Sequence, residues 1–465
     1  MTRKLTLPVV ALAGAFVLSG CQIIPTYFKP AAPVPAAYPA GDKATAQPVA
    51  DIGWNEFFQN PDLREAISTA LSNNRDLKTA VMRIEEARAL YNIQRADQLP
   101  TINATGGLAT SRQLLGGNRI DSTVYQVGLG MAAFELDFFG RVKNLSQAAL
   151  AQYMATEEAR RAFQISLVGE VAKAWLTERA LSEQMVLADR TLKGRMDSRN
   201  LVKKRLDAGI TNALEFQQSE TLVHSARVSL LALRRQHALA MNALTLLTGS
   251  AVKLPPQTAT LSTQVITADI GAGLPSDLLT HRPDIRAAEQ RLRSSQANIA
   301  AARAAFFPRI SLTTGFGLAS NDLGGLFNDN TTIWSFSPQL VLPIFDNDRN
   351  KSNLSLAEVR SVIAVTDYEK TIQVAFREVA DALAARATLT EEIEAQKAVR
   401  DAQAERLSLA KARYQNGIAN YLDVLDAERE LFNAEQALVQ SQLLKLTNAV
   451  DLYRSLGGGL TDSSN

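Results

Sequence analysis

Hydrophobic and polar positions repeat along this chain with two periods that alternate. From Ala66 to Gln98 the sequence is rich in Ala, Leu, Arg and Glu and lacks proline, which predicts a helix that Pro100 stops. The period then falls to two. Ile102, Ala104, Gly106 and Leu108 alternate with Asn103, Thr105, Gly107 and Ala109, so one face is apolar and the other small or polar, as in a strand. The polar stretch Gln113 to Ser122 reads as a loop. Beyond it Tyr125, Val127, Leu129 and Met131 alternate with Gln126, Gly128 and Gly130 as a second strand. From Arg141 to Ala208 there is no proline, and Gly169 and Gly194 are the only glycines. These 68 residues read as one helix of about 100 Å at 1.5 Å per residue. A turn at Gly209 and a return helix ending near Gly249 complete the pattern.

The whole pattern then occurs again, 208 positions on. Asp76, Arg83, Arg95, Pro100, Ile102 and Gly107 recur as Asp284, Arg291, Arg303, Pro308, Ile310 and Gly315. Arg141, Lys143, Glu170 and Gly249 recur as Arg349, Lys351, Glu378 and Gly457. The period is too long for a solenoid of 20–50 residues and fits a duplicated half-protein. The second copy predicts a helix over Ala287 to Phe307, a strand on Ile310, Leu312, Phe316 and Leu318, and a loop over Asn321 to Thr331. Its second strand carries Trp334, Phe336, Leu340 and Leu342. The apolar phase of that strand differs by one residue from the first copy. Another 68 residues without proline or glycine, Arg349 to Asn416, end at a turn on Gly417. Around the two turns Arg205, Gly209, Ile210, Asn212, Leu214 and Glu220 match Arg413, Gly417, Ile418, Asn420, Leu422 and Glu428. The second tip alone adds Asp423 and Asp426, three residues apart and so on one helix face.

Charge adds mainly exclusions. With 49 basic and 47 acidic residues the formal charge is +2, so nothing points to nucleic acid. No apolar run approaches the ~20 residues of a transmembrane helix. The N-terminus is more informative: Arg3 and Lys4 precede the mostly apolar Leu5 to Leu18, as in a secretory signal. The segment ends Leu18-Ser19-Gly20-Cys21, which resembles a bacterial lipobox and makes residues 1–20 a lipoprotein signal peptide. Cys21, the one cysteine of the chain, becomes a lipid-attachment site, with Gln22 after it implying delivery to the outer membrane. A Pro- and Ala-rich strap covers 21–60, with the first repeat at 61–253, an equatorial linker at 254–282, the second repeat at 283–458 and a tail at 459–465. Four strands of membrane-crossing length cannot close a barrel, and an open edge in lipid leaves backbone groups unpaired. The chain must therefore associate; three copies give twelve strands and two give eight.

The duplicated layout, the lipobox, the Phe138-Phe139-Gly140-Arg141 junction with its counterpart Leu342-Pro343-Ile344-Phe345, and the tip Tyr421 to Ala427 together resemble the outer-membrane factor family of TolC-like exit ducts, in its lipoprotein OprM-like branch. The second junction departs from the first, with Asp348 where Gly140 stands. The resemblance implies an α+β membrane protein: a homotrimer whose twelve-stranded outer-membrane β-barrel (four strands per chain) continues into a long α-helical periplasmic barrel with a mixed equatorial domain. It implies a passive exit duct of a tripartite efflux pump, with a periplasmic membrane-fusion adaptor and an inner-membrane pump of the RND class as partners. It further implies a periplasmic gate in which Asp423 and Asp426 form carboxylate rings and Tyr414 bonds Glu215, with Arg413 nearby. The family's latch arginine is replaced by Ala419. Gly209 and Gly417 mark the tips expected to dock the adaptor. The alternatives are the exit duct of a type I protein-secretion system and a purely structural coiled coil. His224, His237 and His281 show no metal-ligand spacing, and no nucleophile or phosphate-loop constellation is present, so neither enzyme activity nor a cofactor beyond the lipid on Cys21 is expected.

Overall fold

Backbone hydrogen bonding follows the change of period. A computed structural model describes residues 25–39, 49–255, 260–261, 266, 270–271, 273 and 275–460. The signal segment and Cys21 lie outside the described residues. Two compact units emerge, one formed by residues up to Ala31 with Arg83–Glu157 and Ala287–Glu369, the other by Ala32–Met82, Glu158–Arg286 and Lys370–Asn465.

The first unit carries the sheet. Strands β1 (Ile102–Leu115), β2 (Asn118–Leu136), β3 (Arg309–Ser320) and β4 (Thr332–Val341) lie in chain order, each antiparallel to the next. The stretch expected as a loop at Gln113 to Ser122 is instead the end of a hairpin. Gly116 and Gly117, at φ 59° and 86°, form a two-residue turn whose twist suits the strands, and pairing runs to Leu115↔Asn118. The phase slip also has a cause. β2 bulges between Met131 and Phe134, with Ala133 at φ 49°, and beyond the bulge Phe134 and Leu136 take the same even phase as Trp334 and Phe336. One face is thereby kept apolar throughout, with Leu129, Phe316 and Trp334 in one row and Met131 and Phe336 flanking another.

The opposite face is small and polar. Gly128 pairs with Gly317 and Gly130 with Gly315. A Cβ at Gly128 would lie 2.7 Å from the Phe316 carbonyl oxygen, so glycine is required where β2 and β3 approach this closely. In the same unit the strap is pinned to a helix. Lys29 Nζ and Tyr27 Oη each bond the Glu289 carboxylate at 2.8 Å, while the Gln296 amide donates to the Phe28 carbonyl (2.9 Å) and accepts from its N–H (3.3 Å).

Helices supply the rest: α1 (Trp54–Phe57), α2 (Pro61–Asn73), α3 (Arg75–Ala96), α4 (Arg141–Asp207), α5 (Ala213–Thr248), α6 (Leu278–His281), α7 (Pro283–Ala304), α8 (Arg349–Gln415) and α9 (Tyr421–Ser455). α3 and α7, and likewise α4 and α8, begin and end 208 positions apart. The junction before α8 keeps a left-handed residue at the substituted position, Asp348 at φ 61° where Gly140 has φ 78°, but it adds a second one before it, Asn347 at φ 54°, so the local turn differs. Among the described residues no helix is long and apolar enough to cross a membrane.

The single opening helix expected from Ala66 to Gln98 is broken. Asn74 takes an extended conformation, and its side chain accepts from the Leu77 N–H (2.8 Å), capping α3 while donating to the Leu247 carbonyl (2.8 Å). In the second copy the helix expected to begin at Ala287 begins at Pro283, where the fixed φ of proline suits a first helical position. The core of the second unit is aromatic at one point: Phe57 stacks on Tyr453 with centroids 3.9 Å apart, and Tyr453 Oη donates to the Ile52 carbonyl at 2.6 Å. An isolated bridge pairs Phe58, near the end of the segment read as the strap, with Ile266 of the equatorial linker.

Candidate functional site: the hairpin tips

Both tips lie in the second unit and use the same local chemistry. At the end of α4 the Gly209 N–H donates to Leu206 O (2.9 Å) and Ile210 N–H to Arg205 O (2.8 Å); at the end of α8 Gly417 N–H donates to Tyr414 O (3.0 Å) and Ile418 N–H to Arg413 O (2.9 Å). This closes the last carbonyls of each helix and needs a left-handed residue, which Gly209 (φ 73°) and Gly417 (φ 75°) supply. The next helix starts on an asparagine cap in both copies. Asn212 Oδ1 accepts from Glu215 N–H at 3.0 Å, and Asn420 Oδ1 from Asp423 N–H at 3.2 Å. Glu215 and Asp423 therefore occupy equivalent first-turn positions, where a carboxylate also suits the helix dipole.

The side chains differ. Asp423 is exposed. Asp426, one turn on, is held between two arginines: Arg406 of α8 donates to Oδ2 at 2.7 Å and Arg429 to Oδ1. The two carboxylates expected to act alike are thus chemically distinct, one open and one neutralised. Lys411 pairs with Glu428 at 3.1 Å and further ties α8 to α9. Beneath them Val202, Tyr421, Val424 and Leu425 are buried, with Phe216, Leu407 and Tyr414 packed against them.

Tyr414 sits between the two hairpins. The Arg205 guanidinium lies over its ring, 4.9 Å from the centroid, and the Tyr421 ring is 5.1 Å away. Its hydroxyl is buried and makes no hydrogen bond among the described residues, while Glu215 accepts from Thr211 Oγ1. Burial first, and the nearby Glu215 charge second, push the Tyr414 pKa up. Tyr421, more deeply buried and facing the Glu428 charge, is pushed up to about 12. Within one chain, then, Tyr414 and Glu215 are neighbours without a latch bond. Arg413 is exposed and contributes its carbonyl to the turn.

Sequence reasoning missed Arg406, Arg429 and Arg205. Arg429 stands three residues after Asp426, a spacing that signals a helical pair. Arg406 and Asp426 lie at comparable distances either side of Gly417, so folding the hairpin about that turn would have paired them. Among the described residues no group of three or more His, Cys, Asp or Glu could hold a metal ion. His237 bonds the buried Glu178 at 2.8 Å, and His281 Nδ1 lies 2.9 Å from Asp277 O, both structural contacts.

Comparison with known proteins places these features. The family model described as outer membrane efflux protein matches residues 66–250 and 274–458, two segments 208 residues apart. Outer membrane protein OprJ of Pseudomonas aeruginosa is 46% identical, covering 98% of this chain and 97% of that protein. Solvent efflux pump outer membrane protein SrpC of Pseudomonas putida is 45% identical over 99% of both. The crystal structure of the open state of the Neisseria gonorrhoeae MtrE outer membrane channel superimposes with a TM-score of 0.87 at 40% identity, covering 95% of this chain and 99% of that one.

Proposed function

The chain belongs to the outer membrane efflux protein family and is an outer-membrane efflux channel, and from that premise we propose that it works as a homotrimeric exit duct whose periplasmic hairpin tips form the gate. Three copies supply twelve strands and close the barrel. The reading is supported by the four-stranded sheet, whose edge strands β1 and β4 each have one neighbour among the described residues, and by its apolar face, where Phe316 is 66% and Trp334 76% exposed in the single chain. Leu356, Val359 and Ile363, spaced three and four apart on α8, add an exposed apolar stripe suited to a second helix.

Transport through the duct is passive, with energy supplied by an inner-membrane pump of the RND class and a periplasmic adaptor meeting the tips around Gly209 and Gly417. Cys21, outside the described residues, carries the lipid anchor. The cargo is small apolar and amphipathic molecules, in keeping with relatives named for solvent, toluene and antibiotic efflux.

The observation that carries the gate is the exposed Asp423 beside the arginine-neutralised Asp426. Three exposed carboxylates around a constriction attract cations, and salt screens that attraction. In planar bilayers the purified protein is expected to conduct small cation-selective currents. Asp423→Asn removes most of the selectivity, whereas Asp426→Asn removes less. Currents whose selectivity neither substitution changes would move the gate elsewhere, and absence of any channel would sink the closed-barrel reading.

A further inference from the structure

At the end of the sheet, where β2 and β4 hand over to α4 and α8, the first unit holds a cavity of about 540 Å³. Its sheet wall is the small, polar face. Glu135, Ser311 and Gln339 form one cross-strand row, in period-two continuity with Thr313, Gly315 and Gly317. If the barrel closes with its apolar face to lipid, this cavity opens on the lumen; the inference rests on that proposed closure.

The duplication makes the chemistry of the cavity unequal. Arg141, at the start of α4, is held by both oxygens of Glu135 (2.8 and 2.6 Å), and Arg309 approaches the same carboxylate at 3.5 Å. The residue 208 positions after Glu135 is Pro343. Arg349, the counterpart of Arg141, thereby loses its acceptor, and its guanidinium makes no hydrogen bond or ion pair among the described residues. The remaining carboxylates are engaged by backbone: Asp137 accepts from Lys143 N–H (2.7 Å) and Asp346 from Asn350 N–H (2.9 Å). Phe139 and Phe307 also line the cavity, stacked with centroids 4.8 Å apart, and Phe307 is 43% exposed. Arg349, an exposed planar five-donor cation without an acceptor, lines the same cavity as this half-open aromatic pair, and together they are complementary to an aromatic body bearing one anionic group.

We propose that this cavity is a lumenal resting site for aromatic anions, carboxylates or sulfonates, in which Arg349 takes the charged group and Phe139 and Phe307 take the ring. It gives the duct a chemical preference of its own, separate from the tips.

The test uses the full-length protein in phospholipid nanodiscs, with naphthalene-2-sulfonate as probe and protein-free nanodiscs as the background. Equilibrium dialysis reads binding, and planar-bilayer recording reads block of the current by the same sulfonate. Saturable excess binding and block are expected in the wild type. Arg349→Gln weakens both by about tenfold or more, the loss of one charge-assisted bond; Arg349→Lys, which keeps the charge but not the planar fork, falls between the wild type and Arg349→Gln, and uncharged naphthalene shows no dependence on residue 349. Equal binding by wild type and Arg349→Gln in channel-forming protein overturns the site. Binding that depends on Arg349 in protein that forms no channel overturns its lumenal placement together with the closed barrel.

Discussion

The two halves of the chain repeat their backbone hydrogen bonds more faithfully than the residues that make them. In the first half Asn74 Nδ2 donates to Leu247 O at 2.8 Å; 208 positions on, Arg282 donates to Ser455 O at 3.0 Å. Both bonds tie a break between helices to the last turn of a return helix, α5 or α9. The amide does so without charge. The guanidinium brings Asp284 (2.6 Å) and Glu378 (2.7 Å) with it, and so builds a charged cluster in the second half that the first half does not copy. The tips show the same division: asparagine caps and glycine turns recur, while the charged partners change. Geometry required by the backbone is retained, and the side chains around it are free to diverge.

This comparison predicts an order of effects. Arg282→Ala is the most damaging, because it strands Asp284 and Glu378 as well as an α9 carbonyl. We expect about 3 kcal/mol, less than the full cost of a broken buried pair since both acids reach solvent. Asn74→Ala should cost about 1–2 kcal/mol, one hydrogen bond and a cap. Denaturation midpoints of the two variants in detergent give the ranking, and an Asn74→Ala variant less stable than Arg282→Ala would break it.

The helix-ending glycines sharpen the contrast. A Cβ at Gly249 (φ 67°) would lie 2.6 Å from Asn73 O, and one at Gly457 (φ 86°) 3.1 Å from His281 O, whereas Gly417 has nothing within 4 Å. Gly249→Ala combines a left-handed alanine with a backbone clash and should cost about 2–3 kcal/mol. Gly457→Ala should follow it, and Gly417→Ala should cost only about 1 kcal/mol. Thermal midpoints check the order. The asparagine caps, being equivalent, should give the same result in both halves: Asn212→Ala and Asn420→Ala each about 1 kcal/mol. Unequal losses would show that the tips are not energetically alike.

The smallest effect is confined to the second tip. Tyr421 is raised to about 12 by burial, and Tyr414 is raised too; their first-copy counterparts, Ala213 and Leu206, do not titrate. A folded-state pKa above the unfolded value of about 10 means that the folded tip holds its phenol protons more tightly. The associated stability is complete below pH ~10 and falls as pH rises towards ~12. The thermal midpoint should therefore drop between pH 9 and pH 11, and Tyr421→Phe should reduce that drop. An identical drop in the variant would remove Tyr421 as its source.

What the sequence determined by itself is the part governed by neighbours within a few residues. The 208-residue duplication, the long helices α4 and α8, the strands after Pro100 and Pro308, the glycine turns and the asparagine caps all depend on local period, on left-handed φ or on one short side chain reaching its own backbone. The placement of Asp423 and Asp426 on one helix face just after the Gly417 turn was legible for the same reason. Tertiary structure decided the rest. Asp426 looked like a second free carboxylate until the hairpin brought Arg406 against it, and the helix from Ala66 broke at Asn74 because Leu247, more than 170 residues away, offers a carbonyl there. The one-residue phase slip became a bulge at Ala133 only when β3 fixed the register on both sides. Arg349 differs from Arg141 through Pro343, a partner missing from the strand before it. Contacts of this kind depend on which helix and strand faces meet, and that is set by the packing of elements far apart in the chain, not by the pattern within any one of them.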